Sequence, residues 1–192
     1  MTNQDLCSTR RLLLHCLAAA CSIGMISLSP APAADRFADG VLAATYHIEN
    51  RAVKLSNGRA EQAGVPGSAA KIITEVYGAP VSGDLNGDGL DDAALFLVQT
   101  SGGSGTFYYV AAAIADNGRV QGTPAVFLGD RVAPKTLSIR NGVVIVSYTD
   151  RGPGQSMAVS PAIGRTRYLT LEEGRLKAVK SLERHPTRQP GQ

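Results

Sequence analysis

The chain has 192 residues, of which 44% are hydrophobic and 18% are charged, and its formal net charge at pH 7 is +3. A balance this close to neutral gives no reason to expect binding to nucleic acid or to an anionic membrane. The three cysteines, Cys7, Cys16 and Cys21, all lie near the amino terminus. Disulfides, thiolate zinc sites and thiol nucleophiles are therefore excluded from any domain that follows them.

Residues 1–34 have the pattern of an export signal that is removed. Two arginines at residues 10–11 precede an apolar stretch at residues 12–28, and the small residues of APAA predict cleavage after Ala33 or Ala34. The apolar stretch is too short and too interrupted to predict a transmembrane span. The expected location is therefore periplasmic or secreted, in a bacterium.

Two alternatives stay open for this segment. STRRLLL also resembles a twin-arginine export signal, because an arginine pair stands directly before leucines. LAAAC, which ends at Cys21, resembles a lipoprotein cleavage box and would place a lipid anchor on that cysteine. Against the anchor, the residues that follow Cys21 are apolar, where a lipid-anchored protein normally has a polar tether.

Beyond the signal, the pattern is that of β-strands nearly throughout. Alternating or β-branched runs are separated by Gly, Pro, Asn and Asp, the residues that end strands. The runs lie at residues 41–48, 52–55, 70–77, 93–98, 106–114, 125–128, 136–139, 143–148, 167–171 and 176–179. We predict a single all-β domain at residues 35–182, with about eight to ten short antiparallel strands in a sandwich or partly closed barrel. The polar, proline-containing tail at residues 183–192 predicts disorder.

Two of the gaps between strands predict tight hairpins. Asn141-Gly142 and Glu173-Gly174 each join two apolar runs and can adopt the positive φ angles that a two-residue turn requires. Helical spacing is poorly supported. The best candidate is a short turn at residues 60–70, which glycine and proline interrupt.

The stretch GDLNGDGLDDAALF, residues 83–96, predicts a cation site. Ca²⁺ takes about six to eight oxygen ligands, which a tight loop supplies when acidic or amide residues alternate and glycine permits the bend. The candidate ligands are four side chains and the backbone carbonyl of Leu90, namely Asp84, Asn86, Asp88, Leu90 and Asp92. Three carboxylates on one loop repel one another without a cation, and Mg²⁺ demands a more rigid octahedron. We therefore expect Ca²⁺ in a structural role.

The loop differs from the helix-loop-helix calcium hand, because Leu95 stands where a bidentate glutamate is needed and a strand pattern follows. It resembles the calcium loop of FG-GAP and related VCBS repeats, in which D-x-[DN]-x-D-G-x-x-D leads directly into a strand. The match covers residues 84–97 and occurs once, whereas those families carry many copies. The resemblance implies a calcium loop and does not imply a propeller. The wider pattern is similar to a small domain of bacterial exported and envelope proteins.

Four residues are candidates for contacting a partner: Ser104, Tyr108, Arg131 and Arg151. Ser104 lies in a glycine-rich loop, and Tyr108 points to the opposite face of its strand from its two aromatic neighbours. Arg131 and Arg151 each follow an aspartate in similar turns. Such pairs favour a structural use, and a paired arginine surface for a carboxylate or phosphate is the alternative.

We expect a non-enzymatic, calcium-stabilised domain that binds an envelope or extracellular protein or polymer. One alternative is a hydrolase of cell-wall or extracellular polymer, which would use the acidic loop for catalysis. Against it, the acids crowd one loop instead of flanking a cleft. A serine nucleophile in the glycine-rich loop would need a base, and only His47 and His185 follow the signal as candidates. A second alternative is an inhibitor of a lysozyme-type enzyme, since VPGSAAKI, residues 65–72, is similar to a loop of bacterial lysozyme inhibitors.

Overall fold

The computed structural model describes residues 33–64, 70–103 and 105–181. Residues 1–32 of the expected export signal, Ser104 and the expected tail at residues 183–192 lie outside these ranges. The all-β prediction is confirmed, because 62% of the structure is strand and its sheets are antiparallel. In the described part of the chain there are twelve strands and one helix, and the strands do not form a closed barrel.

The elements follow one another in this order. They are α1 (Ala33–Ala43), β1 (Thr45–Ile48), β2 (Arg51–Lys54), β3 (Arg59–Ala63), β4 (Lys71–Gly83), β5 (Asp92–Thr100), β6 (Thr106–Asp116), β7 (Arg119–Gly122), β8 (Val126–Asp130), β9 (Ala133–Arg140), β10 (Val143–Asp150), β11 (Ile163–Glu172) and β12 (Arg175–Val179).

The strands form three sheets. The largest has the order β3-β4-β5-β6-β7. Strand β8 also pairs with β6, on the same edge as β7 but at the other end of that strand. This is possible because β6 is 11 residues long, so residues 113–116 pair with β7 and residues 107–110 pair with β8. The second sheet has the order β12-β11-β10-β9, and the third is the β1–β2 hairpin.

The six-stranded sheet is the middle layer of three and is buried on both faces. Alternate side chains of β5 and β6 point to opposite faces, so the two sets belong to different cores. One core packs the middle sheet against α1 and the β1–β2 hairpin, and the other packs it against the four-stranded sheet. Because both faces are covered, the first six residues of β5 are all buried, which explains its nearly continuous apolar run.

Among the described residues, four two-residue turns have positive φ at both positions, as the type I′ hairpin turn requires. They are Asn57-Gly58, Asn117-Gly118, Asn141-Gly142 and Glu173-Gly174. The two predicted hairpins are therefore confirmed, since Asn141-Gly142 joins the paired strands β9 and β10, and Glu173-Gly174 joins β11 and β12. Local sequence chemistry was sufficient to predict them.

The β1–β2 hairpin docks where β7 ends and β8 has not yet begun. The backbone N–H of His47 donates to the carbonyl of Thr123, and the His47 carbonyl accepts from the N–H of Ala125. Gly122 makes this approach possible, because a Cβ atom there would lie 2.5 Å from the carbonyl oxygen of Thr45. The exposed His47 side chain lies on this hairpin.

The amino-terminal part of the domain differs from the prediction. Residues 41–48 were expected to be one strand, but α1 extends to Ala43 and only the remainder belongs to β1. The helix buries Val41 and packs Phe37 against the first core, a one-sided apolar pattern. The poorly supported helical candidate at residues 60–70 begins instead in strand β3, which pairs with β4. Among the described residues, no helix is long and apolar enough to cross a membrane.

Candidate metal centre

The acidic loop joins β4 to β5 at one end of the middle sheet. Gly83 at the end of β4 pairs with Asp92 at the start of β5, so the loop closes on itself over a short distance. Gly87 and Gly89 have φ angles of 81° and 82°, a conformation that glycine adopts without steric cost. Leu85 anchors the loop, because its buried side chain belongs to the second core.

Asp84, at the first ligand position, is already turned into the loop. One oxygen of its carboxylate accepts the backbone N–H of Gly87 at 2.6 Å, and the other accepts that of Gly89 at 3.0 Å. The side chain is half-buried. Each carboxylate oxygen retains a further lone pair. These hydrogen bonds therefore orient the carboxylate and leave it able to bind a cation.

Asn86 and Asp88 form the exposed tip of the loop. The Asn86 side-chain oxygen accepts the N–H of Asp88 at 2.9 Å, and its amide nitrogen donates to the Asp88 carboxylate at 2.8 Å. The other oxygen of Asp88 accepts the N–H of Leu90 at 2.7 Å. Because both side chains are exposed, water can replace these contacts at little cost. Both groups are therefore able to turn towards a cation.

Asp92 is fully buried, with 0% of its surface exposed. Its carboxylate accepts the backbone N–H groups of Leu85 and Ala115, each at 2.9 Å. Burial raises the pKa of the Asp92 carboxyl; the two backbone hydrogen bonds lower it, and the negative charges of Asp88 and Asp84 raise it further, leaving a net increase. The fold thus buries a carboxylate beside two others, with only neutral backbone donors on its oxygens.

The loop therefore offers oxygen atoms alone, which is the donor chemistry that Ca²⁺ prefers. All five predicted ligand residues belong to the loop or to the first residue of β5. Within the described ranges, no three His, Cys, Asp or Glu side chains are arranged to hold a metal ion as they stand. To bind one, Asn86 and Asp88 must exchange their mutual hydrogen bonds for the cation, which their exposure permits. The five residues can bind Ca²⁺ if Asn86 and Asp88 make this exchange.

Sequence reasoning missed the second role of Asp92. Its bond to Ala115 connects the loop to β6, 23 residues further along the chain. Nothing in the local pattern indicates which strand lies beside β5 at that point, so only the strand order could have revealed it. As a result Asp92 holds the two ends of the loop and the neighbouring strand together.

Arg131 and Arg151, candidates for contacting a partner, lie close together. A terminal nitrogen of Arg151 donates to the carbonyl of Arg131 at 2.8 Å, and its Nε donates to the carbonyl of Val159. Asp130 accepts the backbone N–H of Thr106 at 2.8 Å and lies 3.3 Å from Nε of Arg131. These contacts connect turns of the two packed sheets, which is the structural use of the Asp-Arg pairs.

Tyr108, another candidate, is half-buried against the second core. Its ring meets that of Tyr77 edge to face, with centroids 5.6 Å apart, and burial together with Tyr77 raises the pKa of its hydroxyl. Tyr77 is the more accessible of the two, with 44% of its surface exposed. The candidate Ser104 and residues 65–69 of the segment VPGSAAKI lie outside the described ranges.

A cavity of about 360 Å³ lies between the β1–β2 and β6–β7 hairpins. Its charged lining consists of Lys54, Asp116 and Arg119. None of the loop ligands lines it. The metal centre and this cavity are therefore separate features.

Comparisons with known proteins add no family. A scan of protein-family models, a search of curated proteins and a search of solved structures found no match. The functional argument therefore depends on the residues themselves.

Proposed function

We propose that this protein is an exported bacterial β domain that is stabilised by Ca²⁺ in the loop from Asp84 to Asp92 and that binds an envelope or extracellular partner without catalysing a reaction. The observation that supports the calcium site is the burial of Asp92. Its carboxylate has a raised pKa and lies close enough to the charges of Asp84 and Asp88 for them to raise it further. A cation held among the three would remove this repulsion.

Bound Ca²⁺ would offset most of the negative charge of its three carboxylate ligands and connect the exposed tip of the loop to the buried Asp92. Asp84, Asp88 and Asp92 would provide the charged ligands, and Asn86 and the Leu90 carbonyl the neutral ones. Because the chain beyond the expected signal has no cysteine, disulfides cannot perform this stabilising role there. The acids belong to one loop and do not face each other across a cleft, which favours a metal site over hydrolysis by a carboxylate pair.

Thermal unfolding of the purified protein in chelator and in Ca²⁺ tests the site. With the affinity typical of extracellular modules, about 10⁻⁴ M at its tighter end, 10 mM Ca²⁺ is roughly 100 times the Kd. Binding to the folded state alone then stabilises it by about 2.7 kcal/mol, which raises Tm by about 5–10 °C for a domain of this size. Mg²⁺ at the same concentration is expected to raise Tm less.

Two matched variants separate ligation from general charge. Asp88→Asn removes one negative charge at a ligand position, and Asp91→Asn removes one at the neighbouring exposed position that is not a ligand. We expect Ca²⁺ to stabilise the Asp91→Asn protein as it does the wild type, and to stabilise the Asp88→Asn protein much less. An equal response to Ca²⁺ in both variants, or no response in the wild type, would show that the proposed site is wrong.

A further inference from the structure

Strand β11 is longer than its outer neighbour β12. Residues 163–170 of β11 pair with β10 on its inner side. On its outer side, β12 pairs only with the part from Tyr168 to Glu172. Within the described ranges, no strand pairs with residues 163–167 on that side. Half of the strand is therefore a sheet edge.

The register shows which backbone groups this edge presents. Glu172 and Arg175 flank the two-residue turn, so they form a mutually hydrogen-bonded pair, and alternate residues of β11 bond to alternate sides. It follows that Gly164 and Thr166 direct their N–H and C=O groups outward. Both residues are exposed, and the Thr166 hydroxyl lies 3.3 Å from that of Ser147 on β10. The N–H and C=O groups of these two residues can therefore pair with a further strand.

Two other strand edges, those of β8 and β9, are protected by the chain itself. On β8, a terminal nitrogen of Arg167 donates to the carbonyl of Phe127 at 2.8 Å, and Arg151 covers the carbonyl of Arg131 just beyond the strand. On β9, Pro134 and a register shift interrupt the edge, which are usual defences against strand addition. The outer side of residues 163–167 has neither device.

We infer that residues 163–167 of β11 bind an extended acidic peptide segment of a partner protein, which adds to the four-stranded sheet as an antiparallel strand. This inference depends on the partner-binding part of the proposed function and not on Ca²⁺. Main-chain hydrogen bonds would supply the affinity, and alternate side chains the specificity. Ile163, Arg165 and Arg167 share one face of the strand.

Charge identifies the partner's chemistry. Arg165 is exposed, and Arg167 lies beside it with its guanidinium 5.6 Å from the centre of the Tyr148 ring. Opposite charges directly across a strand pair stabilise it, and like charges destabilise it. The partner segment that fits this edge has an acidic side chain opposite each of these two arginines. It continues with an apolar side chain opposite Ile163, which is 41% exposed.

The same rule argues against a second copy of this chain as the occupant. Antiparallel pairing of two β11 edges about Arg165 would engage Gly164 and Thr166 of both copies. It would also place Arg165 directly opposite Arg165 of the other copy, a repulsive pair. Pairing about Thr166 instead would place Arg165 opposite Arg167, which is equally unfavourable.

Amide hydrogen exchange in the full-length protein is the first test. In the free protein we expect fast exchange at Gly164 and Thr166, and slow exchange at Arg165, whose N–H bonds to β10. If Gly164 and Thr166 are already protected in dilute free protein, another segment of the chain covers the edge and the proposal is wrong. If they become protected only as the protein concentration rises, the occupant is a second copy and the proposal is equally wrong.

A blocked peptide in which glutamate and threonine alternate before a valine is the probe. At about ten times its Kd, we expect exchange at Gly164 and Thr166 to slow roughly tenfold, and binding to weaken as salt is added. A peptide with lysine in place of glutamate should not bind. Absence of binding by the acidic peptide, or equal binding by both, would overturn the proposal.

Two variants of one residue make the test specific to the backbone. Thr166→Pro removes the outward N–H at a position where a sheet edge tolerates proline, and Thr166→Ala keeps that N–H while removing the same hydroxyl. We expect peptide binding to be lost in the first and retained in the second, with similar Tm values. Equal binding would contradict strand addition. The calcium experiment has a separate readout, so failure of the metal site does not affect this result.

Discussion

Replacing Asp92 with alanine tests whether the buried carboxylate holds the loop to the sheet even without metal. The change leaves the N–H groups of Leu85 and Ala115 without their acceptor. Each buried donor that loses its partner costs about 1–3 kcal/mol, or about 2–6 kcal/mol for both. Removing a negative charge from beside Asp84 and Asp88 offsets part of this cost, so we expect a net loss of about 2–4 kcal/mol.

The measurement is urea unfolding at pH 7 in chelator, so that no cation contributes to the free energy of unfolding. Asp91→Ala is the matched control, because its side chain is exposed in the same loop, and it should change stability by no more than about 0.5 kcal/mol. Equal m-values are needed, since a change in slope would indicate a different unfolded or folded state. If the Asp92→Ala protein is as stable as the control, Asp92 does not anchor the loop.

Two further predictions concern packing and pH. Gly122→Ala should destabilise the domain by about 1–3 kcal/mol, because a Cβ atom there meets the β1 backbone. The control Gly164→Ala should leave stability unchanged, because nothing lies within 4 Å of a Cβ atom at that position. Equal chemical-denaturation curves for the two variants would refute the prediction. Burial, with the charge of Glu49, raises the pKa of Tyr109 from 10.0 to about 12. The folded state therefore keeps this proton longer, and stability should fall as pH rises from 10 to 12, less so in Tyr109→Phe. Ionisation of all six tyrosines in one ultraviolet absorbance step near pH 10 would disprove the shift.

Prediction from the sequence succeeded where the signal was local. The turn residues at Asn141-Gly142 and Glu173-Gly174 predicted hairpins because few residues adopt the required positive φ. The strand patterns predicted an all-β domain because most strands carry continuous or alternating apolar runs. The acidic loop was recognised from the spacing of its acidic and amide residues, and the structure places four of the five predicted ligand residues in one loop and Asp92 at the first residue of β5. Calcium binding itself stays a prediction.

The errors occurred where a short element depends on its surroundings. Helix α1 is only 11 residues long, too short to be stable alone, and its apolar side is meaningful only once the first core exists to cover it. Strand β7 is four residues long and carries Arg119 and Gln121, so it lacked a clear apolar pattern. It forms because β6 extends far enough to pair with it.

The sequence by itself determined the all-β class, the two hairpins and the ligand types of the acidic loop, because each follows from residues that are neighbours in the chain. The tertiary structure decided the rest. It buried Asp92 and bonded it to Ala115 on β6, and it left residues 163–167 of β11 without an outer strand in the described part of the chain. Both outcomes depend on which strands become neighbours, and pairing between distant segments is set by packing of the whole domain and not by local preference.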